Sequence, residues 1–557
     1  MLRHKVQWLT LMLVLVGALA FASGAQQTPA ALSDEVTTFT VRNIAPGQEW
    51  QLSATPVGQV IVERTNTDIR WETTIGDENQ AVALLIASGD LPDAVVYRAA
   101  LGAAPFVEGD IALELTDLIR NHAPNYLEAL GSNWDRMAWS AEDPGRYIVA
   151  QLPSFGREQF AHHGWFFLQH DVVMSQGYPQ METLDDYERA IKTYLRENPT
   201  IDGQPTIGMT LVADDWRWII SLTNPGMMAA GIESSGEIFV DPDTREVTYR
   251  VLRPEERAYY RWLNRMWNDG VLDRDAFTQT NDQFEAKMAS GRVLAATAMR
   301  WQFGQSEASL RQRGLLNRMY GEYPISLDTD TPNSSMSGGQ AWDIASGTMI
   351  ITTQNRNPQK FMEFIDFLVS DEGQILRNWG IEGVHYDVVD GRREFRHEER
   401  ERLQSDPDYA LKTGVGLLGA SWPRWTDGIQ DPTGQYYTLS SPEDIVAGYT
   451  DLETEVLAEY GVTRWAELFP QPADFPVRPW PAESSIVNFL SQDYRVIFQR
   501  LQDTIKRDVI AAIVGPINQF DANWERFVQN MERAGVRRFE AEIERLNAEF
   551  LELWGQS

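Results

Sequence analysis

Residues 355–391 read NRNPQKFMEFIDFLVSDEGQILRNWGIEGVHYDVVDG. Pro358 stands where a first-turn proline is tolerated, with Asn357 before it as a cap. Phe361, Phe364, Ile365 and Leu368 fall three and four apart, which puts them on one buried helical face. Ser370, Asp371 and Glu372 restart a helix with acid at its positive end, and Gly380 stops it beside Trp379. His385 and Tyr386 follow in an extended segment, and Asp390-Gly391 is a hairpin turn signal. A helix pair ending on an aromatic loop suits the wall of a cleft. An ordinary packed helical hairpin accounts for the apolar positions equally well, so the flanking sequence has to separate the two.

Upstream, 344–352 reads as a strand feeding this helix pair, preceded by the polar, Ser- and Gly-rich segment Asp328–Gln340, expected as a mobile loop. Val293–Ala298 is a buried strand, and Arg300 and Trp301 stand just past its carboxyl end. Pro254 opens a helix with Tyr259, Trp262, Leu263 and Met266 inward, and Gln283–Ala289 forms a shorter one. Thr183 caps a helix whose stripe is Leu184, Tyr187, Ile191, Tyr194 and Leu195. Nearer the start, strands at 37–44, 69–75 and 94–97 alternate with helices reaching Glu63 and spanning 78–87. That alternation is the pattern of a parallel, doubly wound sheet, with a crevice at the strands' carboxyl ends. Those ends fall near Asn43, at 76–79, and at Tyr97-Arg98. Further on, Leu115 opens a helix that Pro124 is expected to close. Downstream of Gly391 come a charged helix at 394–403, an aromatic glycine-rich loop at 414–425, a proline-rich strap at 470–481 and two closing helices. The last carries Phe539, Ile543, Leu546, Phe550 and Leu553 on one stripe, for packing onto a lobe.

Four of these stretches resemble, in order, the bacterial family 1 extracellular solute-binding proteins of ABC importers, in their large lipoprotein-like, oligosaccharide-binding branch. They are LIASGDLPDAVV (85–96), WFFLQHDVVMSQGYPQMETLDDYERAI (165–191), YRWLNRMWNDGVLDRDAFTQTNDQFEAKMASGRVLA (260–295) and NPQKFMEFIDFLVSDEGQILRNWGIEGVHY (357–386). The resemblance implies an α/β, two-lobed periplasmic-binding-protein fold of type II character. Each lobe would be a mainly parallel sheet flanked by helices, with extra helices at the C-terminus. Lobe one is expected from 26–155 plus 322–376, and lobe two from 156–321 plus 377–557. The implied partners are an oligosaccharide and a membrane permease, and the expected state is a monomer.

Composition agrees with export. The chain has 557 residues, no cysteine and a formal net charge of −32. Such charge argues against nucleic acid, whose phosphates need clustered Lys and Arg. Arg3, His4 and Lys5 precede an apolar run to Phe21 and the small residues Ala22–Ala25, the pattern of a signal peptide over 1–25. Cleavage after Ala25, Ala22 or Ala20 all fit. The absence of cysteine removes disulfides, thiolate metal sites and the lipid-bearing cysteine of many relatives, leaving a freely diffusing periplasmic or extracellular protein.

Local motifs for chemistry are poor. Gly414–Gly419 matches a dinucleotide pattern literally, but Pro423 blocks the helix that pattern requires. His397-Glu398 begins like a zinc-protease helix, yet Glu401 occupies the second histidine's place. The loop after Asn198 offers Asp202 as its only carboxylate, too few ligands for the calcium that some relatives of this family hold there. No cofactor and no metal are expected, and no catalytic residue is assigned.

The positive signal is aromatic. A sugar ring offers an apolar C–H face and a rim of hydroxyls, so it wants flat rings beside Asp, Arg and His. Candidate ligand contacts are Asp215, Trp216 and Trp218 after the strand-like 210–213. Arg300 with Trp301, Trp342 with Asp343, and Trp379 with Glu382, His385 and Tyr386 follow. Tyr97 and Arg98 join them at the first crevice. Core packing explains any one tryptophan as well. A secreted carbohydrate-active enzyme, or a same-fold receptor for peptides or other small solutes, shares most of these features.

Overall fold

The computed structural model describes residues 35–555 except 46, 77, 98–101, 153–158, 163, 234–235, 338–347, 477, 479 and 481–485. The expected leader, Arg98, Trp342 and Asp343 lie outside the described residues. Among the described residues no helix is long and apolar enough to cross a membrane.

The first sheet begins with β1 (Thr37–Asn43), β2 (Trp50–Gln51), β3 (Thr67–Thr73) and β4 (Ala94–Tyr97). The second is built from β5 (Gly164–Gln169), β6 (Ile207–Thr210), β7 (Val293–Met299) and β8 (Tyr320–Glu322), after which β9 (Thr348–Ile351) returns to the first. The strand orders are β9-β4-β1-β3-β2 and β8-β5-β7-β6.

In the first sheet β1 pairs in parallel with both β3 and β4. Helix α1 (Pro56–Thr65) leads from β1 to β3 and α2 (Glu78–Ser88) leads from β3 to β4. Thr55 caps α1 by accepting the Gly58 N–H at 3.0 Å, and Pro56 pre-sets its first turn. Val57 and Ile61 of α1 pack with Phe39 and Val41, whereas Val82 and Leu85 of α2 pack with Ile44 and Val95 in a separate cluster. The first crossover steps from β1 to β3 and the second returns past β1 to β4 on its other side, so β1 lies at the switch point where α/β sheets open a crevice.

The second sheet is mixed rather than mainly parallel: β7 runs parallel to β6, but β5 is antiparallel to both β7 and β8. The reason is connectivity. β5 is entered by a crossing from the first sheet, where Val149 bridges Met349, and not by the helical crossover that parallel neighbours require.

Capping set the helices much as their sequences imply. Thr183 and Asp186 form a reciprocal capping box at the start of α3 (Leu184–Glu197). Helix α4 (Pro254–Asn268) buries Tyr259, Trp262, Leu263 and Met266. Asn357 caps α5 (Pro358–Val369) and Ser370 caps α6 (Asp371–Trp379). The helix after Leu115 ends at His122, just before Pro124 as expected, and Pro124 also opens the next helix (Pro124–Leu130), because a proline at the first position loses no helical hydrogen bond. The expected mobile loop is anchored over its described part: Asn333 and Ser334 are buried and donate to Ile325 O and Ile232 O, both at 2.8 Å.

Two further expectations shift. α5 buries Phe361, Phe364, Ile365 and Leu368 against the first sheet, and the same cluster continues through Trp379, Phe395, Tyr409 and Trp422. A lobe boundary at residue 377 therefore cuts through one core, since Trp422 packs against Phe361, Phe364 and Trp71. The chain also closes with three helices, not two: α7 (Gln492–Val514), α8 (Phe520–Ala534) and α9 (Val536–Leu553). Gly515-Pro516 and the left-handed Gly535 interrupt what reads as continuous helical sequence. These helices share the second sheet's core.

Candidate functional site

β6 and β7 are parallel neighbours, so their carboxyl ends lie on one edge of the second sheet. The residues just beyond those ends are Asp214-Asp215-Trp216-Arg217 and Arg300-Trp301. Although 85 positions apart in sequence, the Trp216 and Trp301 rings stack with centroids 5.9 Å apart and planes 15° from parallel. Trp301 is 54% exposed, which is rare for so large an apolar ring. The Arg217 guanidinium carbon lies 5.1 Å from the Trp216 centroid while its Nη1 pairs with Asp215. Asp214 is exposed, and its carbonyl accepts from Lys506 of α7. The result is an indole platform bordered by carboxylates.

Arg300 is engaged by carboxylates. It reaches over Phe167 of β5, its Nε donating to Glu322 at 2.8 Å and its Nη1 pairing with Glu307. Burial opposes its charge, but Glu307, Glu322 and Glu453 outweigh that and raise its pKa. Burial likewise pushes the Glu307 carboxyl up, against the pull of Arg300. Of these two expected ligand contacts, Arg300 is paired with carboxylates and Trp301 presents an exposed ring.

Of the group Trp379, Glu382, His385 and Tyr386, all but Glu382 are buried. Trp379 is 3% exposed and its Nε1 donates to Tyr436 O at 3.2 Å. His385 is buried, its Nδ1 accepts from the Ile381 N–H at 3.0 Å, and burial lowers its pKa. Gly380 makes that packing possible: its φ is +85°, and a Cβ there would come within 2.7 Å of the His385 ring. Tyr386 packs edge-on against Trp379, and Glu382 stands exposed beyond them. These rings fill the core because the hairpin at 386–395 folds back onto α6, its turn made by Asp390 and Gly391 at positive φ as their sequence implies. Trp218 is 5% exposed in the second sheet's core, one residue beyond the platform turn. Tyr97 is buried against Phe106.

On the first sheet the open surface lies elsewhere than at Tyr97. A cleft of about 550 Å³ at the carboxyl ends of β1 and β3 is lined by Ile44, Glu49, Thr73, Thr74, Ile75 and Leu84 among others. Ile75 is 96% exposed. A second cleft of about 550 Å³ adjoins it through Arg42, Glu72 and Asp90. Arg217, Ile75 and Leu84 escaped sequence reasoning. A strand-end position was the available signal for all but Leu84, whose exposure follows only from where α2 docks. Asp202 sits in a tight hairpin at 200–205 and pairs with Arg318 at 2.6 Å. Among the described residues no group of three or more His, Asp or Glu is arranged to hold a metal ion.

No family model matches the chain. It is similar to the fructooligosaccharide ABC transporter substrate-binding protein FusA of Streptococcus pneumoniae, 19% identical over 58% of this chain and 59% of that protein. It is also similar to lipoprotein LipO of Bacillus subtilis, 20% identical over 70% of this chain and 75% of that protein. The solved structure of FusA in complex with kestose superposes with a TM-score of 0.63 at 15% identity, covering 93% of this chain and all (100%) of that one. A solute-binding protein of Bifidobacterium longum infantis, described as binding HMO and associated with an ABC transporter, superposes at 0.64 with 12% identity over 93% and 99%. The fold is therefore the two-lobed one of the ABC-transporter substrate-binding proteins, as the resemblance implied. The match to FusA spans about three fifths (59%) of that protein's own length.

Proposed function

We propose that this chain is the solute-binding receptor of an ABC import system, that it holds an oligosaccharide between its lobes, and that it delivers the sugar to a membrane permease without altering it. The observation that carries this reading is the Trp216–Trp301 platform, with Trp301 exposed, at the carboxyl ends of two parallel strands. Stacked indoles offer a flat apolar surface for a sugar's C–H face, and Asp214 and Asp215 at its border accept hydroxyls. Arg217 and Arg300 are both held by carboxylates, which favours a hydroxyl-rich neutral solute over an anionic one. The cleft lined by Thr74, Ile75 and Leu84 is the corresponding wall of the first lobe. A solute touching both walls makes all its contacts only when the lobes close, so binding shifts a hinge equilibrium toward the closed form that a permease recognises. In this reading 26–155 and 322–376 form lobe one, joined by the segment 377–422 that shares its core, and the rest forms lobe two. The protein works as an exported monomer.

A thermal-shift screen of neutral oligosaccharides, uronate oligomers and peptides tests this. A neutral oligosaccharide is expected to raise the melting temperature with saturation and to be recovered intact. A shift with peptides alone, or cleavage of the sugar, would overturn the proposal.

A further inference from the structure

Beside the platform lies a buried polar chain. Glu322 closes β8, where the second crossing departs for the first sheet, and it is 1% exposed. One carboxylate oxygen accepts from Arg300 Nε at 2.8 Å; the other is 2.9 Å from His162 Nδ1. His162 lies at the end of the first crossing, just before β5, and its Nε2 is 3.0 Å from Ser335 Oγ on the second crossing. Its ring stacks on Phe469 of the segment leading into the strap, centroids 3.7 Å apart. Arg300 is the residue immediately before Trp301. A single hydrogen-bonded chain thus runs from the platform turn through Glu322 to the first two of the connections between the cores of the two sheets.

The two oxygens of Glu322 are committed to different partners, so turning the carboxylate loosens both contacts together. Arg300 is held as well by Glu307 and His162 by Ser335, so Glu322 links two groups that are each anchored in turn, which favours moving the chain as a unit. We propose that Glu322 is a positioning residue that makes the setting of the Trp301 platform and the setting of the two crossings one event. Contact with solute at Trp301 then biases the crossings, and through them the lobe angle. This rests on the receptor reading of the Trp301 platform.

Because the chain has no cysteine, spin labels can be placed at will. Gln59→Cys on α1 and Ile517→Cys between α7 and α8 are both exposed, one on each sheet's side of the molecule. The inter-label distance distribution is measured without sugar and then with kestose and the glycans of the screen. The sugar-free protein is expected to give one narrow population that Glu322→Gln broadens about twofold. His162→Gln should broaden it similarly, and the double variant should be no broader than either single one. An unchanged width in folded Glu322→Gln, or additive broadening in the double variant, would overturn the proposal, as would a lower melting temperature with no change in width. If Glu322→Gln does not fold, Ser335→Ala loosens the same chain at its half-exposed end and decides by the same readout. If no glycan binds, the receptor reading falls while the sugar-free distances still decide the coupling.

Discussion

At the scale of single residues, two side chains make sharp predictions. Trp301 has an exposed ring whose removal disturbs little of the core, so Trp301→Ala should leave the melting temperature nearly unchanged. In titration calorimetry it should weaken sugar binding about 10- to 100-fold, or about 1.4 to 2.8 kcal/mol. His170 is the opposite case. It is fully buried beside Trp465, neither ring nitrogen has a hydrogen-bond partner among the described residues, and burial lowers its pKa to about 4. A histidine depressed in the folded state stays neutral there while the unfolded chain takes up a proton near its ordinary value. Stability from this group is therefore complete above about 6.5 and drains away as the pH falls toward about 4. The loss amounts to about 3 kcal/mol over that window. His170→Phe should flatten this part of the pH dependence, as read from melting temperatures of the two proteins across the window.

At the scale of elements, the caps decide where helices begin. Thr183 accepts the Asp186 N–H at 3.2 Å while Asp186 accepts the Thr183 N–H at 3.1 Å. Both contacts satisfy amides that no helical carbonyl can reach. Thr183→Ala should cost about 1 kcal/mol in urea unfolding without changing the slope of the transition. The strand ends matter in a different way. β6 and β7 are parallel, so two short turns far apart in the chain place their aromatic residues on one edge. An antiparallel pair would have sent Trp216 and Trp301 to opposite ends of the sheet.

At the scale of the whole molecule, the C-terminal helices are part of the core rather than an appendage. α9 buries Phe539, Ile543, Leu546 and Phe550 among residues of the second sheet's cluster. Trp554 just beyond it packs against both main clusters, with the Arg136 guanidinium carbon 4.8 Å from its ring centroid. Those four side chains alone contribute about 8 kcal/mol by burial, comparable to the total stability of a domain. Truncation before Val536 should abolish the cooperative melting transition followed by circular dichroism.

Periodicity and capping are local, and they were legible without coordinates. The helix pair at 358–379, the βαβαβ order of the first ninety-odd residues, the Asp390-Gly391 turn and the placing of Trp301 past a buried strand all follow from neighbours in sequence. Which rings are covered was settled by partners that no spacing reveals. Trp379 and His385 are covered because residues at 393–436 fold over them, and Trp218 lies within the second sheet's core. Trp301 remained exposed, stacked on the half-buried Trp216. Local chemistry sets the shape of an element, but exposure is a property of distant chain segments meeting, and only the tertiary structure decides it.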